Sequence, residues 1–498
     1  MKFTQNIRIA FFAVVISATA LVSCIKEETI SNKEREKISL EAWIRLNKPE
    51  LLDNYQENGG YYVEILAGDK NENKPVSSNG NDFGSEPLME QDTCWIYANI
   101  TGRDINGRIC MTRSGELADL CGTFSYFTHY VPYINYCGSS NFGLLEGTYL
   151  AMRNEFKLGN SVYRMRRGSK VRLYLPSSIA YGERGSSSEG GYEGQYSLDA
   201  SRPLVMDIEI LRAIKNPSDK ELDMVKSFVG YDSKWVQATK AEEEKSDEDD
   251  DLKLTGLHYS LGFNPASDKI HERYLQPHLD GLNSRYTDTK RYADMDFIND
   301  SINKILLQRF GEGLSKDKLG DATRVTKDGR ASIWYIVRFL DGFVVDTNIA
   351  EIRTLVFNEK SPVCEVFSYS PSDDEDKDAS ERTAIGAWYY CIPQMHYGAY
   401  GQIVTSSGYA YGASGLSGTT TTTESSTSSG VDYYNAMNYY NYYNSYYDYY
   451  NPYYNYYNYN YYDYNYNTND SETVTTTSIS TEILPYTPLV FTLFVEAK

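Results

Sequence analysis

The sequence predicts an α+β chain made of two related, strand-rich domains. Three observations carry this prediction. Short runs alternate apolar and polar residues with the period of two that a half-buried strand needs, as in KVRLYLP (170–176) and in Leu204, Met206, Ile208 and Ile210. An acidic run, AEEEKSDEDDD (241–251), divides the chain, and a charge block with so little apolar content does not fold alone. Segments on its two sides then repeat in order: KVRLYLP, Tyr-Gly and PLVMDIEIL before it, AWYYCIP, Tyr-Gly and PLVFTLFVE after it. A chain of 498 residues with 41% hydrophobic content can bury a core in each copy.

Residues 1–23 read as a signal peptide. Lys2 and Arg8 flank a short n-region, and the apolar run from Ile9 to Val22 is too short to span a bilayer comfortably. Residues 24–59 form a tether and a helix. In the helix Ser31 and Glu34 have capping-box spacing, Ile38, Ala42 and Leu46 share one face, and Pro49 lies just past the expected end. The first domain spans 60–213, with strands over Tyr61–Leu66, Cys94–Thr101, 170–176 and 204–210. Residues 214–252 are the acidic linker, and the second domain spans 253–498. There Met295–Phe310 reads as a helix with Phe297, Ile302, Ile305, Leu306 and Phe310 toward a core. Ser332–Phe339 and Trp388–Ile392 read as strands, and Leu489, Phe491, Leu493 and Val495 line one face of the closing strand.

The copies differ in one interval. Pro176 to Pro203 is short, whereas Pro393 to Pro488 is long and contains NYYNYYNSYYDYYNPYYNYYNYNYYDYNYN (438–467). The tract therefore belongs to an insertion, about 402–482, between two strands of the second copy. Closure entropy grows only logarithmically with loop length, so the sheet tolerates it.

A formal net charge of −20 argues against nucleic acid as a partner, because phosphate binding needs a basic footprint. Six cysteines follow Cys24: Cys94, Cys110, Cys121, Cys137, Cys364 and Cys391. None forms a CxxC pair and only five histidines are present, which argues against a zinc site. Pairing within each group of cysteines and buried free thiols both fit the spacing.

Leu21-Val22-Ser23-Cys24 resembles the lipobox of bacterial lipoproteins. The resemblance implies acylation of Cys24 and anchorage in a membrane, each buried CH₂ adding about 0.8 kcal/mol. Ile25-Lys26-Glu27-Glu28 resembles a surface-export tag and also suits a plain tether, so the expected location is the outer membrane, facing the periplasm or the cell surface.

GSKVRLYLPSSIAYGERG (168–185) followed by SRPLVMDIEIL (201–211) resembles the FKBP family of peptidyl-prolyl isomerases. YANITGRDINGRI (97–109) and YIVRFLDGFVVDTN (335–348) resemble that family's hairpin, with Asn106-Gly107 and Asp341-Gly342 at the turns. The resemblance implies two FKBP-like domains, each a half-open antiparallel β-sheet wrapped over a short α-helix. It also implies an aromatic-lined pocket that lowers the barrier to rotation about a prolyl bond, about 18–20 kcal/mol when uncatalysed. Such a reaction needs no cofactor, and the implied partners are proline-containing polypeptides.

Carried over residue by residue, the resemblance puts Tyr181 at the loop tyrosine of the first copy. Ile100 takes the hairpin tyrosine's place and Cys110-Met111 that of a Phe-Asp pair. Leu144-Leu145 is the apolar pair before the helix, Thr148 or Tyr149 falls at the floor tryptophan, and Met206 at the last-strand phenylalanine. In the second copy Tyr335 is the hairpin tyrosine, Val345-Asp346 keeps the acid, Ile483 and Leu484 are apolar positions before the last strand, and Phe491 is the phenylalanine. The loop tyrosine is Tyr397 or Tyr400. SPSDDEDKDASER (370–382) stands where a floor tryptophan is expected and reads as a surface loop, with Trp388 a core residue of a strand. The catalytic candidates are thus Tyr181, Tyr335, Asp346 and Tyr397. A non-catalytic binding module is the rival reading. In either, the Tyr/Asn-rich insertion is expected to contact glycans or a cell surface, or to be low-complexity chain without a specific ligand.

Overall fold

The computed structural model describes residues 31–67, 83, 86–122, 124, 128–138, 145–186, 197–230, 234–240, 252–267, 289–359, 362–375, 377–378, 381–426 and 473–496. Only the backbone is described for 289–296, 321, 419–426 and 473–478. Cys24, Leu144, the acidic run and the Tyr/Asn tract lie outside the described residues. The chain divides into two compact units, Met1–Met224 with Leu484–Tyr486, and Val225–Ile483 with Thr487–Lys498.

In the first unit helix α1 (Asn32–Asn47) starts where Ser31 Oγ accepts the N–H of Glu34 at 3.2 Å. Its buried face is Glu36, Leu40 and Ile44, not the expected Ile38, Ala42 and Leu46; Ile38 is 55% and Leu46 83% exposed. Both stripes have helical spacing. The structure selects the one that packs with Trp43 on Leu51, Tyr62, Tyr174 and Val205. Glu36 is tolerated there because its carboxylate accepts both the N–H and the Oγ–H of Ser177, each at 2.5 Å.

The strands of this unit are β1 (Tyr55–Gln56), β2 (Tyr61–Ala67), β3 (Trp95–Arg103), β4 (Ile109–Thr112), β5 (Tyr133–Tyr136), β6 (Phe156–Leu158), β7 (Ser161–Tyr163), β8 (Lys170–Leu175) and β9 (Leu204–Ile214). Seven form an antiparallel sheet in the order β1-β2-β8-β9-β3-β4, with β5 also on β3, while β6 and β7 pair separately. The alternation read from the sequence is the burial pattern: Val171, Leu173, Met206, Ile208 and Ile210 are buried on one face. Each such side chain contributes roughly 1.5–3 kcal/mol. On the opposite face Asp207 accepts from both Arg103 and Arg172 at 2.6 Å, clamping three adjacent strands. At the hairpin turn Gly107 takes a positive φ of 91°, and Asp104 Oδ1 accepts the N–H groups of Asn106 and Arg108. Helix α2 (Gly115–Leu120) follows β4. Helix α3 (Glu146–Arg153) buries Gly147, Thr148, Ala151 and Met152 against the sheet. Helix α4 (Pro217–Gly230) leads out of the unit.

The second unit repeats this plan. Its strands are β10 (Val236–Thr239), β11 (Lys253–Leu261), β12 (Ala331–Phe339), β13 (Val344–Thr347), β14 (Phe367–Tyr369), β15 (Tyr400–Thr405), β16 (Thr419–Ser426), β17 (Thr473–Ser480) and β18 (Leu489–Val495). The sheet order is β10-β11-β15-β18-β12-β13, with β14 also on β12. Position for position this is the first sheet's order. Helix α5 (Thr289–Phe310) buries Ile302, Ile305 and Leu306, and α6 (Ala350–Phe357) follows β13 as α2 follows β4.

The expected strand Trp388–Ile392 is instead helix α7 (Gly386–Cys391), the counterpart of α3. Its aromatic run has strand propensity, but burial of Ala387, Trp388 and Cys391 on the sheet holds it as one helical turn and a half. The strand equivalent to KVRLYL is β15, which lies next to β18 as β8 lies next to β9. β16 and β17 form a separate ribbon in register from Thr419↔Ser480 to Ser426↔Thr473, within the interval between β15 and β18.

Candidate functional site

Matching β15 to β8 moves the second copy's loop. Pro176-Ser177-Ser178-Ile179-Ala180-Tyr181-Gly182 corresponds to Ser406-Ser407-Gly408-Tyr409-Ala410-Tyr411-Gly412. The two turns are built alike. The N–H groups of Ala180 and Gly182 both donate to Ser177 O, and those of Ala410 and Gly412 both donate to Ser407 O. Gly182 and Gly412 have positive φ of 62° and 60°. The loop tyrosine is therefore Tyr411. Tyr397 is buried and donates its hydroxyl to Arg330 O at 2.9 Å. Tyr400 is buried on β15 between Phe263 and Phe494, its hydroxyl bonded to Leu306 O and Gly311 O. Both are core residues, and neither belongs to the site.

Beside Tyr411 the second unit assembles an aromatic cluster around buried Trp388 and Phe491, with half-buried Tyr335 and Phe367 packed against them. Trp388 lies on α7, at the position Thr148 occupies on α3. Three rings stand nearly perpendicular to its indole: Phe367 at 5.2 Å and 78°, Tyr335 at 5.4 Å and 73°, and Phe491 at 5.9 Å and 79°. Ile385, at the N-cap of α7, and Tyr411 pack on the same cluster. Such edge-to-face pairs each add about 0.5–1.5 kcal/mol beyond area burial and fix ring orientation.

One polar group enters this apolar wall. Tyr335 donates its hydroxyl to Asp346 Oδ2 at 3.0 Å. Arg353, on α6, donates to Asp346 Oδ1 at 2.8 Å and makes a bidentate pair with buried Glu359 at 2.7 and 2.6 Å. It also donates to the carbonyls of Thr347 and Ile479. Burial, then the charge and hydrogen bond of Asp346, push the Tyr335 hydroxyl far up; burial and then Asp346 push Tyr411 up as well. Both hydroxyls stay protonated across the physiological range. They can donate hydrogen bonds.

The other expected residues of this copy fall as follows. Val345 is buried in the core beside Asp346, and its carbonyl accepts Thr481 N–H. Ile483 is buried and bridges to Leu416 through two backbone hydrogen bonds of 2.8 Å. Leu484 groups with the first unit. The stretch 370–382 is not simply a surface loop, since Asp374 within it is fully buried.

The equivalent positions in the first unit have a different chemistry. Tyr181 donates its hydroxyl to Met111 Sδ at 3.3 Å, where the second unit has Asp346. Burial, then the nearby Cys110 and Tyr133, raise that hydroxyl to about 12. Thr148 Oγ1 donates to Met206 Sδ at 2.9 Å, in place of the Trp388–Phe491 contact. Ile100 is buried where Tyr335 stands, and Leu145 packs at the N-cap of α3. Thioethers and one hydroxyl thus replace an indole, a phenyl ring and a carboxylate.

Sequence reasoning missed Tyr411, Trp388, Phe367 and Arg353. The Ala-Tyr-Gly at 410–412 was the available signal for Tyr411, since Gly415 completes the Ala-Tyr-Gly-x-x-Gly pattern there, whereas Ala399-Tyr400-Gly401 is followed by no such glycine. Among the described residues no three His, Cys, Asp or Glu side chains cluster as metal ligands, and no helix is long and apolar enough to cross a membrane.

Comparison with protein-family models and with curated proteins found no match. Among solved structures the chain is similar to the three FKBP domains of wheat FKBP73, with 11% identity over 89% of this chain and 95% of that one, at a TM-score of 0.19. It is similar to FkpA from Escherichia coli at 16% identity over 42% of this chain and 71% of that one, with a TM-score of 0.22. A peptidyl-prolyl cis-trans isomerase from Pseudomonas syringae pv. tomato matches at 18% identity over 37% of this chain and 98% of its own, also at 0.22. The structural neighbours are FKBP-type isomerases at low structural overlap, and the chain itself is an α+β protein with two antiparallel sheets of one strand order.

Proposed function

We propose that the chain is an FKBP-type peptidyl-prolyl cis-trans isomerase with two FKBP-like domains. The second unit turns over substrate, and the first binds polypeptide with little or no turnover. The observation that carries this is the convergence of Tyr335, Asp346 and Tyr411 over Trp388, reached independently of the loop assignment made from sequence. A proline ring packs on the indole floor. The surrounding rings keep water out, which favours the twisted, less polar amide over the planar, charge-separated one. Tyr411 donates a hydrogen bond to the substrate carbonyl, while Arg353 and Asp346 hold Tyr335 in the wall. The barrier that must fall is about 18–20 kcal/mol, and no covalent step is required.

The first unit keeps Tyr181 but has lost the acid and the aromatic floor, and this favours binding there without catalysis. We further propose that Cys24 is acylated and holds the protein on the outer membrane, where unfolded exported chains are its clients. The Tyr/Asn-rich insertion adds a contact surface for glycans or other cell-surface polymers. Incorporation of labelled fatty acid into the natural chain and not into Cys24→Ala tests the anchor. Retention of the label by Cys24→Ala would refute it.

Proline-limited refolding of a model substrate tests the activity, using the chain that starts after Cys24. We expect acceleration by the parent protein, a loss of roughly tenfold or more in Tyr411→Phe and Trp388→Leu, and little change in Tyr181→Phe. Equal acceleration by parent and both second-unit variants would place catalysis elsewhere. No acceleration with improved refolding yield would leave the binding-module reading.

A further inference from the structure

Cys94 and Cys137 meet across two strands of the first unit. β3 and β5 pair with Trp95 opposite Tyr136 and Ile96 opposite Asn135, so one step outward Cys94 stands directly opposite Cys137. The ladder continues to this pair, since the Cys137 N–H donates to Cys94 O at 2.9 Å. The Cys137 thiol reaches the same carbonyl at 3.3 Å, and both residues are wholly buried. The neighbouring Cys94 thiol lowers the Cys137 thiol, burial opposes this and the charge of Arg153 adds to it, whereas Cys94 is raised, so a thiolate forms more readily at Cys137. Directly opposed residues on antiparallel strands have Cα atoms roughly 4.5–5.5 Å apart, within the span a disulfide bridges. Cys110 on β4 and Cys121 after α2 have no such opposition.

We propose that Cys94 and Cys137 are oxidised to a disulfide that staples β5 to β3. The oxidant is a disulfide donor, either a small-molecule disulfide or a protein disulfide of the compartment. The Cys137 thiolate, its proton given to solvent, attacks one donor sulfur; the new S–S bond forms as the donor's bond breaks and one donor thiolate leaves. The Cys94 thiolate then attacks the Cys137 sulfur of that mixed disulfide and expels the second donor thiolate. Two protein thiols are oxidised, one donor disulfide is reduced to two thiols, and the two protons released are taken up by the leaving thiolates. Because both thiols end buried, the exchange belongs to folding, before β5 docks.

The segment closed by this bond carries Cys110 and Met111 on β4 and ends at Tyr133 on β5, three groups that surround Tyr181. The second unit fastens the corresponding segment without sulfur. There Asp374, just after β14, accepts from Tyr369 Oη, Lys377 Nζ and the N–H groups of Thr383 and Ala384. The proposal does not depend on isomerase activity, and its test does not depend on where the protein resides.

The experiment uses the chain that starts after Cys24, refolded with oxidised glutathione or with dithiothreitol. It is then denatured, labelled with N-ethylmaleimide, weighed intact and mapped by proteolysis. The reduced form takes up six maleimides, one for each cysteine. We expect the oxidised form to take up two fewer and to yield one linked peptide pair containing residues 94 and 137. Cys121→Ala keeps the link, whereas Cys94→Ala and Cys137→Ala each lose it. Six maleimides after oxidation, or a link between other cysteines, would overturn the proposal. As a readout of stapling, dithiothreitol should lower the first unit's melting temperature in the parent and leave it unmoved in the Cys94→Val/Cys137→Val double variant. Equal melting of the parent in both redox states would rule the stapling out.

Discussion

Arg353 is the residue on which the second unit's cluster is built, and little in its sequence context announces it. Its guanidinium joins Asp346 and Glu359 to the backbone at Thr347 and Ile479, while its side chain and that of Glu359 are 9% and 1% exposed. Arg353→Met leaves the Glu359 carboxylate buried without a countercharge, keeping only the Ile479 N–H, so we expect a loss of about 3–5 kcal/mol in urea unfolding. The Arg353→Met/Glu359→Leu double variant should recover most of the stability but not the orientation of Asp346, and so, if the proposed activity holds, not its rate. Asp374 makes a pH-dependent case. Burial pushes its carboxyl up, but hydrogen bonds from Thr383 N–H, Lys377, Ala384 N–H and Tyr369 outweigh this and bring it from 3.8 to about 2. A carboxyl lowered on folding stabilises fully above its ordinary value and loses that contribution as pH falls through the folded one. The stability gap between the parent and Asp374→Asn should therefore be constant above pH 4, at about 2 kcal/mol, and should shrink between pH 4 and 2. The sequence made Tyr335, Asp346 and Phe491 legible because the hairpin and last strand keep their order and register. It hid Arg353 and Asp374 because a buried charge is defined by partners distant in sequence, whereas charged residues read alone are solvated.

At the scale of elements, the period-two strands were legible and the short elements between them were not. β8 and β9 follow their alternation over 170–173 and 206–210, where one face is core, whereas β12 is buried at most positions and β18 at every one, so there the apolar run itself was the signal. GAWYYC was misread for a physical reason: six residues of mixed aromatic character carry no clear period, and only the sheet beneath decides between helix and strand. The misreading displaced the loop tyrosine from Tyr411 to Tyr397 or Tyr400. β15 escaped notice because Gln402 and Thr405 are buried polar residues within it; Gln402 accepts from Lys234 and donates to Thr492. The ribbon of β16 and β17 gives a prediction of its own. Replacing residues 420–478 by a short Gly-Ser linker keeps Ile479, whose N–H and C=O serve Glu359 and Arg353. The second unit's urea midpoint should then move little, because loop closure costs only about 0.6 kcal/mol per doubling of length. Loss of cooperative unfolding in this variant would show that the ribbon is structural.

For the whole molecule, two separate hydrophobic cores predict two unfolding transitions. Leu173 is wholly buried in the first core and Leu493 in the second. Leu173→Ala should lower one calorimetric transition and Leu493→Ala the other, each by about 2–5 kcal/mol, with the partner transition unmoved. Joint displacement by either variant would mean that the units unfold as one. The repeat was visible in the sequence as an order of motifs, and the structure sharpens it to an order of strands. The placement of β18 has a further consequence, for the time course of synthesis. β18 is no edge strand: it pairs with β12 on one side and β15 on the other, and both partners precede it, β15 by the whole ribbon and the Tyr/Asn tract. A ribosome emitting about 5–20 residues per second needs several seconds to pass from Thr405 to Leu489. Throughout that delay β12 and β15 lack the strand that pairs with both of them in the finished sheet. The nascent chain is therefore itself a client for chaperones until its central strand arrives.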